Sequence, residues 1–156
     1  RLAEGATVFV SDEGGNVDIE SLPAREFDLH PALLHDALAE ADLLVADSQT
    51  TVTEAALLGT PAIRSNAFVG ENDMGNFIEL EEAGLIYNLE DFDGVLRRSV
   101  NLLEIDDLDE QWKNRRDAYI QNKVNLTDLL VDVATRGWPI EQLEDISMRA
   151  TRVAPT

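Results

Sequence analysis

The chain alternates between two hydrophobic rhythms. Continuous apolar runs at residues 6–10, 43–46, 61–63 and 85–87 predict short strands, and a weaker stretch at 27–30 predicts another. Each run stops at turn-forming residues; the first meets Ser11-Asp12-Glu13 and then Gly14-Gly15-Asn16. Elsewhere apolar residues recur every three or four positions. Leu33, Leu34, Ala37, Leu38 and Ala41 do so behind Pro31, which predicts a helix over 31–40. Further helices are predicted over 52–58, closed by Gly59, over 76–83, closed by Gly84, and over 89–103, which opens in acidic residues.

This alternation of strand and helix predicts an α/β fold, a Rossmann-like parallel sheet with helices on both faces. The run Leu43-Leu44-Val45-Ala46 has no polar alternation, so it reads as the innermost strand, buried on both faces. From Asp106 onward there is no strand signal, and Trp112, Tyr119, Ile120, Leu126, Leu129, Leu130 and Val133 fall at helical spacing. The expected organisation is therefore a Rossmann-like domain over 1–104, a helical C-terminal extension over 105–138 packing on it, and a short helix and tail over 139–156 after the break at Gly137-Trp138-Pro139.

Composition narrows the function classes. With 156 residues, 44% of them apolar, the chain has material for one core. There is no cysteine and there are only two histidines, His30 and His35, so no metal site is expected. No apolar run approaches the roughly 20 residues that cross a bilayer, which predicts a cytoplasmic protein without a transmembrane segment. Acidic residues number 31 against 12 basic ones, a net charge of −19, and only Lys113 and Lys123 are lysines. The acids are spread along the chain instead of forming a tail. Such a surface repels itself in dilute buffer and is screened where the Debye length falls to about 3 Å at 1 M salt. The balance resembles that of a halophilic archaeal protein, and it argues against nucleic acid, whose phosphates need clustered Lys and Arg.

In an open parallel sheet, ligands bind beyond the carboxyl ends of the strands. Two loops leave such ends. One is Asp47-Ser48-Gln49-Thr50-Thr51, which enters a helix whose N–H groups suit a pyrophosphate. The other, residues 65–76, is long and polar and contains Glu71, Asn72, Asp73 and Asn76. The stretch Ala-Asp-Leu-Leu-Val-Ala-Asp-Ser-Gln-Thr-Thr-Val-Thr-Glu-Ala-Ala-Leu-Leu-Gly-Thr-Pro-Ala-Ile from Ala41, followed by Glu-Asn-Asp-Met-Gly-Asn ending at Asn76, resembles an uncharacterised archaeal family grouped with GT-B enzymes. That family looks related to UDP-N-acetylglucosamine 2-epimerase and to the N-acetylglucosaminyltransferase of peptidoglycan synthesis. The likeness to the archaeal family runs from about Ala6 to Ala134. To the characterised enzymes it rests on the Ser/Thr-rich turn, Glu54-Ala55 and Leu58-Gly59-Thr60-Pro61.

The resemblance implies the nucleotide-sugar-binding, C-terminal half of a GT-B-type glycosyltransferase, with a UDP-sugar as substrate, no separate cofactor and an upstream Rossmann-like domain as partner. It implies that Glu54, at the helix start, accepts hydrogen bonds from the ribose hydroxyls, and that Ser48, Gln49, Thr50 and Thr51 hold the pyrophosphate. Asn72, Asp73 and Asn76 would meet the donor sugar, and His30 would line the cleft beside the base. The epimerases carry paired glycines where this chain has Gln49 and Thr50, so the backbone approaches a phosphate less closely here. Catalytic residues remain unassigned, and the isolated piece is expected to bind without turnover.

Other readings stand beside these. Thr51-Val52-Thr53-Glu54 is also a capping box, Ser48, Thr50, Thr51 and Thr53 are also cap and turn formers, and Asn76 is also a helix cap. The second loop also fits an acidic surface loop. At the level of function, an epimerase or hydrolysing epimerase, or a non-catalytic module binding a protein through the helices after Asp106, are the alternatives.

Overall fold

A computed structural model describes residues 2–12, 14–66 and 73–136. The expected short helix and tail over 139–156, together with Glu71 and Asn72, lie outside the described residues. The chain divides into two compact units, Arg1–Arg116 and Asp117–Thr156.

The first unit is α/β, with small parallel sheets flanked by helices. Strands β1 (Phe9–Val10) and β2 (Arg25–Glu26) form one parallel pair, and β3 (Leu44–Ala46), β4 (Ala62–Arg64) and β5 (Ile86–Asn88) form a three-stranded parallel sheet in the order β3-β4-β5. The expected second strand is displaced: Phe9 pairs with Arg25 and Val10 with Glu26, so residues 27–30 follow the strand. The single sheet foreseen from the alternation is thus two sheets.

The three-stranded sheet holds the core. Ala62 and Ile63 are fully buried on β4, against which α2 (Gln49–Leu58) packs with Val52, Ala55 and Ala56 buried, while α3 (Gly75–Glu82), with Phe77 and Leu80 buried, packs against β5. Each helix is bounded by local chemistry. Helix α2 starts where the Ser48 hydroxyl accepts the Thr51 N–H and stops at Gly59, whose φ of 88° a side chain rarely adopts. Before β3, a 3-10 turn at Pro31–Leu33 leads into α1 (Leu34–Glu40), and Thr60 ties the two connections by donating to the Leu38 carbonyl at 2.6 Å. Asp91 caps α4 (Phe92–Leu103) through the Gly94 N–H.

The expectation of an innermost strand at residues 43–46 is corrected. Strand β3 is an edge of its sheet, with Val45 43% exposed, and the central, wholly buried strand is β4. An apolar run reports that a strand is hydrophobic, whereas its place in the sheet depends on pairing with residues far along the chain.

Helix α5 (Leu108–Gln121) begins in the first unit. There Trp112 is buried and its indole N–H donates to the Leu85 carbonyl, while Arg115 and Arg116 donate to the carbonyls of Gly84 and Leu58 at the ends of α3 and α2. In the second unit, α6 (Leu126–Arg136) exposes Leu126, Leu130 and Val131. Among the described residues no helix is long and apolar enough to cross a membrane.

Candidate functional site at the carboxyl rim of the three-stranded sheet

The three parallel strands end level with one another. Ala46, Arg64 and Asn88 are register partners, so the segments after them emerge along one rim. The first two of these segments are the loops singled out from the sequence, and they are tied together: Asn66 donates through its side-chain amide to the Asp47 carbonyl at 2.9 Å, and the Ser65 N–H reaches the Ala46 carbonyl.

At the end of β3, four consecutive residues build the start of α2. Ser48 is the N-cap, and its hydroxyl both accepts the Thr51 N–H at 3.3 Å and lies 3.0 Å from the Thr51 hydroxyl. Gln49, Thr50 and Thr51 form the first turn, whose leading N–H groups have no carbonyl partner within the helix. Thr53 turns inward and donates to the Gln49 carbonyl.

Glu54 does not sit at the helix start. Because Ser48, not Thr51, is the cap, α2 begins three residues earlier than the sequence suggests and Glu54 is its sixth residue, in the second turn. The Thr51–Glu54 capping box is therefore not formed. Glu54 shares a helix face with Thr50 and Thr51, four and three residues before it. Its side chain is 33% exposed, and its Oε1 lies 3.5 Å from Nε2 of His35, an exposed residue near the start of α1.

At the end of β4 lies a group that sequence reasoning missed. The Arg64 side chain is completely buried, pairs through Nη2 with Oδ2 of Asp73, and stacks over the Phe77 ring with Cζ 3.8 Å from its centre. Asp73, 5% exposed, also accepts the Met74 N–H at 2.8 Å, just ahead of α3. Asp73 thus reaches the rim, bonded to protein. One signal for Arg64 was available: it is the only Lys or Arg between Arg25 and Arg97, in a stretch rich in acids.

The remaining predicted residues are dispersed. Asn76 is exposed and is the second residue of α3, whose N-cap is Met74, so its reading as a cap is corrected. His30 is exposed and its Nδ1 accepts the Ala32 N–H, capping the 3-10 turn before α1. Ser48 bonds to Thr51, His30 to Ala32, and His35 faces Glu54, so no Ser–His nucleophile pair exists among the described residues.

The arrangement belongs to an α/β protein with a parallel sheet whose rim presents hydroxyls, a helix N-terminus and one buried cation. Comparison of the chain with family models, curated proteins and solved structures found no match.

Proposed function

We propose that this chain binds a nucleotide sugar, a UDP-sugar, at the rim formed by the ends of β3 and β4, as the donor-binding half of a GT-B-type glycosyltransferase. The observation that carries the reading is the placement of Glu54 below a hydroxyl-bearing helix start that itself leaves the sheet's carboxyl edge. The first turn of α2 suits a diphosphate, since oriented N–H groups and the helix dipole favour an anion. At a rise of 1.5 Å per residue, Glu54 stands about 6 Å further along the helix than Thr50, on the same face, where a ribose joined to that diphosphate would lie. A carboxylate accepts both hydroxyls of a vicinal diol. Among the described residues Glu54 has one ionisable partner, the exposed His35 at 3.5 Å, a loose pair from which the carboxylate can turn.

Calorimetric titration of UDP and UDP-N-acetylglucosamine into the wild type and Glu54→Ala tests the reading, at molar salt because of the net charge of −19. The variant is expected to bind both ligands at least about tenfold more weakly, the scale of a lost charge-assisted bond. Equal affinities for the two proteins would remove Glu54 from the site.

A further inference from the structure

A guanidinium carries five N–H donors in a rigid fork and stays charged at any accessible pH. That of Arg64 is withdrawn entirely from solvent, yet one nitrogen alone is used: Nη2 meets Asp73, while Nε and Nη1 make no hydrogen bond among the described residues. At least three of the five donors are thus idle in a place where idle donors are costly, and such a group calls for an explanation. A strut needing only charge balance and packing would be served by Asp73 and the Phe77 ring with fewer donors to satisfy.

The position of this fork is specific. Arg64 is the last residue of the central strand and the register partner of Ala46, two residues before the Ser48 that caps α2. The adjoining segments are joined by the Asn66–Asp47 bond. Nη2 belongs to both bidentate edges of a guanidinium, the one shared with Nε and the one shared with Nη1. The Asp73 carboxylate takes one N–H of Nη2, half of one edge, and its negative charge opposes a second anion at the other.

We propose that Arg64 is the receptor for the diphosphate of the ligand, and that Asp73 is an internal anion that holds the guanidinium until the diphosphate displaces it. This rests on the nucleotide-sugar reading above and supplies the cation that the hydroxyl turn lacks. Binding is an exchange: a phosphate oxygen pair takes one edge of the fork, and Asp73 moves away while keeping its place ahead of α3. Both anions compete for one cation, so weakening the internal one strengthens the external one.

The competition gives a test that a strut does not share. Inorganic pyrophosphate is titrated at constant molar salt into the wild type, Asp73→Asn and the double variant Arg64→Met/Asp73→Leu, each checked for cooperative melting. Asp73→Asn is expected to bind pyrophosphate about tenfold more tightly than the wild type, the scale of one charge-assisted hydrogen bond. The double variant, which removes the cation without stranding a charge, is expected to bind at least about tenfold more weakly. The assignment is overturned if the wild type binds no pyrophosphate, if folded Asp73→Asn binds it no better, or if the folded double variant binds like the wild type. Should pyrophosphate behave as proposed while Glu54→Ala leaves UDP affinity unchanged, Arg64 keeps its role and the nucleotide-sugar reading falls. The converse pattern, a Glu54-dependent UDP affinity with no gain in Asp73→Asn, removes the Arg64 assignment alone.

Discussion

Two contacts between a basic side chain and a carboxylate lie near the carboxyl rim, and they differ in almost every physical respect. Arg64 and Asp73 are 0% and 5% exposed, in direct contact and backed by an aromatic ring; His35 and Glu54 are 64% and 33% exposed and 3.5 Å apart. In the first, water has been replaced by protein, so each charge depends on the other. In the second, solvent screens the pair and either group can leave at little cost. The proposed binding would use both kinds: a buried charge whose direction is set in advance, and a loose one that can turn to meet a ligand.

Breaking the buried contact is the most severe test of this contrast. Arg64→Met leaves the Asp73 carboxylate almost wholly buried without a cation, and urea denaturation is expected to show a loss of about 3–5 kcal/mol. A loss below about 1 kcal/mol would mean that the pair is solvated in solution. Replacing both partners, Arg64→Met with Asp73→Leu, is expected to return stability to within about 1 kcal/mol of the wild type or beyond it, because apolar contact substitutes for two desolvated charges. A double variant as unstable as the single one would assign the loss to packing against Phe77.

Smaller effects belong to the exposed side. Ser48→Ala removes the acceptor for the Thr51 N–H and is expected to cost about 1 kcal/mol, read as a shifted denaturation midpoint with unchanged slope. His35→Ala is expected to change stability by less than about 0.5 kcal/mol, in keeping with a screened pair; a loss as large as that of Arg64→Met would erase the distinction between the two contacts. The least effect is local and depends on pH. In the loop after β1, the N–H of Val17 chiefly, with Gly14 and its neighbours, holds the Asp12 carboxyl below its ordinary value. A carboxyl lowered in the folded state favours the loop above the ordinary carboxylate range, and that contribution fades as pH falls through the lowered value. Amide protection factors at Val17 and Gly14, taken relative to the intrinsic exchange rate at each pH, should therefore fall under acid and in Asp12→Asn, with global unfolding unchanged.

How much of this could be read beforehand follows the range of each interaction. The elements from α1 to α4, with Gly59 and Gly84 closing α2 and α3, are set by periodicity and caps within a few residues, and they fell close to their expected places. The start of α2 was harder, because Ser48, Thr50, Thr51 and Thr53 offer four hydroxyls in six positions and only the Ser48 hydroxyl takes the cap. That choice moved Glu54 from the first turn to the second. Edge and centre of the sheet were exchanged because pairing of residues 44–46 with 62–64 is not local. Arg64 follows the apolar run 61–63, and nothing adjacent to it announces that Asp73 and Phe77 fold over it.

The central claim is that a nucleotide diphosphate binds where β3 and β4 end. Amide and arginine side-chain NMR shifts during a UDP titration at molar salt address it most directly. The account predicts saturable shifts at Ser48, Gln49, Thr50 and Thr51, at Glu54 and at the Arg64 guanidinium. Shifts confined to α6, or none at millimolar UDP, would contradict it.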